Sequence, residues 1–282
     1  MYELKIENSR GEILELTNNP AYEIKSITGL TPMGATINTT TVGTQAGARY
    51  NSSRENVRNI VISVCPRYPV DKNRTELYRY MQSGERSRLH FRNGVRDVYI
   101  DGYVETFEGD LFELPEVMQI SLMCPKTYFI SKSEHTEITL ANNLPLFETP
   151  FTIPKEGLSF SEYLTDNLEF YNEGECESGL CLEFEISGYL KSISIRDMVR
   201  DELLTVEYDF RPYDVLRIST DIGDKTIKLI RAGKTYNIIK HLKAESKWLR
   251  TSLGSNVYAI ITNDGSKSYV LKATWIELYQ GV

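Results

Sequence analysis

Three histidines, one tract of carboxylates, two Asp/Asn-rich turns and a spaced set of arginines are the residues of this chain whose types could do chemistry. His90, His135 and His241 lie far apart. None belongs to a His-x3-His or His-Glu-x2-His pattern, the spacings that aim two imidazoles from one helix face at a zinc ion. They read as strand-surface or turn residues. Glu162, Asp166, Glu169, Glu173, Glu175, Glu177, Glu183 and Glu185 form the one tract dense enough to offer paired carboxylates for glycoside chemistry. Solvated loops and strand faces account for them better. Asp221 with Asp224, and Asn263 with Asp264, gather hard oxygens, but neither pair reaches the ligand count of a committed calcium loop. No Gly-x-Ser-x-Gly elbow, Walker loop or dinucleotide fingerprint occurs. The expectation is a protein with no catalytic residues, no cofactor and no metal.

Arg49, Arg54 and Arg58 remain, a spaced basic set in or just after a Gly/Thr-rich stretch that could be read as a nucleic-acid contact. The formal charge of the chain is −7, so ion pairs across a subunit interface, or plain solvation, suit them better than nucleic acid. Cys65, Cys124, Cys176 and Cys181 are too few and too scattered for a disulfide framework, and Cys176 and Cys181 lack a second pair for zinc. They are expected to be free thiols. No run of about 18 apolar residues and no basic-then-apolar leader follows Met1, so neither a membrane span nor secretion is expected.

The elements that must position these groups are strands. At 41% hydrophobic and 25% charged the chain has the composition of a globular protein, and 18 Tyr and 10 Phe beside many Val, Ile and Thr favour pleated, half-buried surfaces. Its 282 residues suffice for two domains. Residues 1–130 carry 15 Lys+Arg against 16 Asp+Glu, and residues 131–282 carry 17 against 23, which supports a split. Alternation predicts a hairpin from Tyr2 to Leu16 and strands over Asn59–Val64, Arg88–Arg92, Val98–Ile100, Tyr103–Phe107 and Val117–Met123. Asn93-Gly94 is a hairpin turn. One helix is predicted near 71–83, with Leu77, Tyr80 and Met81 on one face, Asp71 or Asn73 as cap and Ser83-Gly84 as stop. Residues 29–53, rich in Gly, Thr, Ala, Asn and Ser, cannot bury much surface and read as a loop or an arm ordered by a partner. A tract over 142–165 holding Pro145, Pro150 and Pro154 reads as the connection between domains. From Leu168 onward about eight strands recur every ten or so residues, the grammar of a β-sandwich.

In order, several segments resemble the bacteriophage distal tail protein family, a siphovirus-type tail component. In the first half these are Arg58-Asn59-Ile60-Val61-Ile62, the helix around Leu77-Tyr78-Arg79-Tyr80, Leu89-His90-Phe91 followed by Tyr99 to Glu105, and Val117 to Pro125 followed by Tyr128-Phe129. In the second half they are Tyr171-Asn172-Glu173-Gly174-Glu175 ahead of Leu182 to Gly188, Asp214 to Thr220, Asn237-Ile238-Ile239, Ser246 to Leu249, Leu253 to Asn256, and the ending Ile276 to Val282. The resemblance implies a mainly β fold: an N-terminal β-sandwich or split-barrel-like domain with one α-helix, residues 1–135, and a C-terminal galectin-like β-sandwich of jelly-roll type, residues 136–282. It implies a homo-hexameric ring in the virion tail, assembled in the host bacterial cytoplasm. Its partners would be the tail tube protein, a tail-associated hub protein and a receptor-binding protein. DNA would meet it only in passing through the lumen. Hexamer contacts then fall on the arm, with Arg49, Tyr50, Arg54 and Arg58 as the interface candidates. The galectin-like expectation also opens an alternative, a carbohydrate-binding module with Trp248 and Trp275 as stacking residues, although core packing suits both tryptophans better.

Overall fold

The computed structural model describes the backbone of residues 2–41, 43, 46–140, 144–145, 161–162, 167–263, 265 and 267–282, and the side chains of these except 139, 140, 144, 145, 161 and 162. The chain divides into two compact units, Met1–Ser133 with Leu278–Val282, and Glu134–Glu277. The second unit is one continuous stretch that stops at Glu277, short of the expected 282, and the first is the discontinuous one, because the last five residues belong to it. They are recruited there by backbone hydrogen bonding, with Val282 N donating to Leu30 O at 3.1 Å. Among the described residues no helix is long and apolar enough to cross a membrane.

Unit 1 is built from β1 (Glu3–Glu7), β2 (Ile13–Glu15), β3 (Tyr22–Thr28), β4 (Ala35–Thr40), β5 (Arg49–Glu55), β6 (Arg58–Pro66), α1 (Val70–Tyr80), β7 (Arg86–Arg92), β8 (Asp97–Gly109), β9 (Met118–Cys124) and the start of β10 (Phe129–Leu140). Seven of these strands form one antiparallel sheet in the order β2-β1-β7-β8-β9-β6-β3. Strict alternation drives it: in β7, Ser87, Leu89 and Phe91 are buried, and in β8, Val98, Ile100 and Val104 are buried, with more exposed residues between them. Burying one face of such strands removes apolar area from water at about 25 cal/mol per Å². The two strands expected at 98–100 and 103–107 are one long strand, whose register shifts between Val104 and Thr106 and redirects pairing onto β9.

Helix α1 starts at Val70, and neither expected cap residue caps it. Pro69 occupies the N-cap without a side-chain bond. Asp71 pairs instead with Arg74, and the buried Asn73 amide donates to Arg67 O at 2.8 Å. Leu77 and Met81 point into the core of unit 1, and the Tyr22 hydroxyl ties the helix down by donating to Asn73 O at 3.1 Å and to Glu76 at 2.8 Å. Burial and the neighbouring Glu76 carboxylate both push the Tyr22 phenol upward.

Of the connection over 142–165, the described parts are β11 (Leu144–Pro145) and β12 (Ser161–Glu162), which pair antiparallel; the rest lies outside the described residues. Unit 2 contains β13 (Asn167–Asn172), β14 (Leu180–Ile186), β15 (Leu190–Asp197), β16 (Glu202–Phe210), β17 (Val215–Ser219), β18 (Thr226–Arg231), β19 (Lys234–Asn237), a 3-10 turn (Ile239–His241), β20 (Gly254–Thr262) and, as far as Glu277, β21 (Tyr269–Tyr279). They form two antiparallel sheets, β13-β20-β15-β16 and β19-β18-β17-β14-β21, the second continued by β10. Alternate residues from both, among them Ile193, Ile195, Leu204 and Tyr258 from one and Phe184, Leu216, Leu229 and Leu271 from the other, share one apolar core. The unit is a β-sandwich.

Candidate interaction surface

The segment 29–53, whose composition predicts a loop or arm, is largely a β-hairpin. β4 and β5 pair antiparallel from Ala35↔Glu55 to Thr40↔Arg49, and every described residue of both strands is exposed. A polar ladder substitutes for a core. Asn38 donates to Ser52 at 3.1 Å, Asn51 to Thr40 at 2.6 Å and Thr36 to Asn56 at 2.7 Å. Such pairs explain why Thr, Asn and Ser form strands here without apolar alternation.

Directly paired residues share a face of a ribbon. The register between Asn38 and Thr39 shifts by one residue on β5, so the hairpin is two-faced. Ile37, opposite Ser53, and Tyr50, opposite Thr39, lie on one face; Arg54, opposite Thr36, and Arg49, opposite Thr40, lie on the other. Ile37 is 61% exposed and Tyr50 is 59% exposed, and the Tyr50 hydroxyl donates to Ser53 at 3.0 Å along that face. Three of the four interface candidates, Arg49, Tyr50 and Arg54, thus stand together on this hairpin.

The fourth does not. Arg58 is 0% exposed, so the interface role expected of it from its spacing is corrected. Its guanidinium is held by backbone carbonyls: Nε donates to Thr127 O at 2.6 Å, Nη1 to Thr31 O at 2.9 Å and also to Gly29 O, and Nη2 to Gln280 O at 2.5 Å. The cation sits 4.6 Å from the Phe129 ring centroid. Burial pulls its pKa below the ordinary arginine value, and the ordinary value is so high that the group stays charged. Arg58 therefore closes the root of the hairpin against the chain's last residues. Gly29 makes the root fit: its φ is +83°, and a Cβ there would lie 2.1 Å from Asn59 O. Spacing alone could not separate Arg58 from Arg49 and Arg54, because its partners lie 27 to 222 residues away in sequence.

A second exposed feature belongs to the same unit and was not singled out by its sequence. The loop between β8 and β9 presents Phe112, 97% exposed, and Leu114, 89% exposed, among Asp110, Glu113 and Glu116. Glu116 is engaged by Arg74 at 2.5 Å, and Asp110 accepts the Phe112 N–H at 2.8 Å, which shapes the turn.

The residues weighed for catalysis or metal binding are dispersed. His90 contacts Glu7 at 2.8 Å in unit 1, whereas in unit 2 His135 stacks on Trp275 and His241 meets the edge of Tyr208. Glu177 pairs with Arg200 and Arg250, and Glu183 with Arg217, on separate elements. Asp221 accepts the Asp224 N–H through its carbonyl at 3.0 Å in a turn, and Asn263 accepts from the Lys191 N–H at 2.8 Å. Asp166, Asp264 and the side chain of Glu162 lie outside the described residues. Among the described residues no group of three or more His, Cys, Asp or Glu could hold a metal ion. Trp275 is only 6% exposed and stacks on Phe170 at 4.0 Å, so it is core and cannot receive a sugar ring. Trp248 is partly buried against the same core, with the Lys225 ammonium 5.4 Å from its ring centroid.

No protein-family model matches this sequence, and no curated protein matches it. Solved structures do match. The Dit protein (gp 19.1) of phage SPP1, described as a paradigm of the hub adsorption apparatus in phages that infect Gram-positive bacteria, superposes with a TM-score of 0.70 at 9% identity, covering 98% of each chain. A chain of the phage P2 baseplate in its activated conformation superposes with a TM-score of 0.51 in the calcium form and 0.50 in the strontium form. Each is 11% identical and covers 97% of this chain and 98% of that one. At such identities what is shared is backbone architecture. The chain carries the fold of the phage Dit protein over 98% of its length.

Proposed function

We propose that this chain is a structural, non-enzymatic component of a phage or phage-like tail tip, a homo-hexameric ring joining the tail tube to the hub and receptor-binding apparatus. The observation that carries the reading is the fold shared with SPP1 Dit across both units, matched over 98% of each chain. Unit 1 forms the ring and unit 2 presents a surface to neighbouring tail proteins. The lumen passes DNA, which a strongly basic lining would retain; the near-neutral balance of residues 1–130 accords with that. The protein assembles in the host cytoplasm and ends in the virion tail. A carbohydrate-binding role finds no support at Trp275, which is buried.

The test is light scattering coupled to size exclusion at concentrations well above micromolar, with electron microscopy of immunolabelled particles. A sixfold mass and label at the tail tip are expected. Free monomer in solution together with unlabelled tails would sink the proposal.

A further inference from the structure

We propose that the β4–β5 hairpin of one copy docks on the β8–β9 loop of a second copy, basic ribbon against acidic loop, with their apolar residues in contact. The inference rests on the ring reading and names the surface that receives the arm. A two-stranded ribbon has little stability of its own in water, yet this one leaves both faces bare, including Ile37 and Tyr50. The loop is bare in the same way, with Phe112 and Leu114 almost fully exposed. Contiguous exposed apolar side chains on a soluble unit mark contact sites.

Charge selects the occupant. Among the described residues Arg49 and Arg54 make no ion pair, and neither do Asp110 and Glu113, whereas the neighbouring Glu116 is already neutralised by Arg74. Paired strands lie about 4.8 Å apart, so a two-stranded ribbon is narrower than an arginine side chain is long. Arg49 and Arg54 can pass its edges and reach carboxylates flanking an apolar contact made by Ile37 and Tyr50. An anionic membrane or a nucleic acid would accept the hairpin but repel the loop, so neither explains both. The two patches are complementary to each other and not to themselves. That makes the contact heterologous, the type that closes rings.

The experiment uses the full chain in three forms beside the unaltered one: Arg49→Glu with Arg54→Glu, Asp110→Lys with Glu113→Lys, and all four together. Circular dichroism first establishes that each folds; all four positions are exposed, so unchanged melting is expected. Each charge-reversed pair should weaken self-association about a hundredfold, and the four-residue exchange should restore it. Two assembled single-side variants would overturn the docking while leaving the ring intact. Loss of assembly without restoration in the exchange would overturn it as well. An unaltered chain that stays monomeric removes the ring reading itself, and the docking with it.

Discussion

Two hairpins of unit 1, β7–β8 and β4–β5, have the same antiparallel connectivity and opposite fates. The first alternates large apolar and polar residues, pairs Arg92↔Asp97 through Arg86↔Tyr103, and fills the middle of the core with Leu89, Phe91, Val98 and Ile100. The second has one large aliphatic side chain in thirteen strand residues and buries none of them. Connectivity therefore says little about what a hairpin is for. The side-chain pattern decides whether its binding energy is used inside the chain or left available to another molecule.

That contrast can be broken most severely from the core side. Ile100→Ala should cost about 4 kcal/mol, because the cavity forms where the sheet cannot collapse, and chemical denaturation should show it in unit 1. Arg58→Met, which keeps the stem and removes the donors, should cost about 3 kcal/mol by removing the buried guanidinium that engages the carbonyls of Gly29, Thr31, Thr127 and Gln280. Hydrogen exchange should quicken at residues 29–32 and 280–282 in that variant, with the β7–β8 amides still protected.

A smaller effect concerns the cross-strand pair within β7–β8. Arg88 Nε and Nη2 donate to the two oxygens of Asp101 at 2.8 and 3.2 Å. Burial alone would raise the Asp101 carboxyl; the hydrogen bonds from Arg88 and Arg86 outweigh it and hold the group below the ordinary value of 3.8. A depressed carboxylate contributes stability that is present above its unfolded pKa and lost as pH falls through the folded one. Asp101→Asn should therefore cost about 1 kcal/mol at pH 7 and progressively less as pH falls below the ordinary carboxylate range, read from melting curves along that series. Smallest of all, Ile37→Ser should move the stability of the monomer by less than about 0.5 kcal/mol, since its side chain is in water. A larger loss would mean the hairpin packs on its own chain, and the contrast would fail.

The same difference explains what could be read from the sequence. β7–β8 was legible because Leu89, Phe91, Val98 and Ile100 alternate around an Asn93-Gly94 turn, and the sandwich strands of unit 2 were legible for the same reason. β4 and β5 were not, because Thr-Asn-Ser pairing leaves no hydrophobic period. β3 escaped because its register shift between Ile24 and Ser26 breaks the alternation of Tyr22, Ile24 and Ile27. The helix face of Leu77 and Met81 was visible, but its start was not, since Pro69 replaces the side-chain caps that Asp71 or Asn73 offered. Arg49, Tyr50 and Arg54 are exposed together on the hairpin, as their polar setting suggests, whereas the burial of Arg58 depends on carbonyls that no local pattern announces. The loop with Phe112 and Leu114 was overlooked because two apolar residues among acids resemble any short turn until their exposure is known.

The root of the hairpin also sets an order in time. Arg58 takes one of its carbonyls from Gln280, and residues 134–277 of the other unit are threaded between them. A ribosome delivers Arg58 more than 200 residues before its last partner, so a nascent chain holds the guanidinium without its full set of acceptors while unit 2 is still being synthesised. The root of the hairpin is therefore closed by its full set of carbonyls only after the second unit has been made.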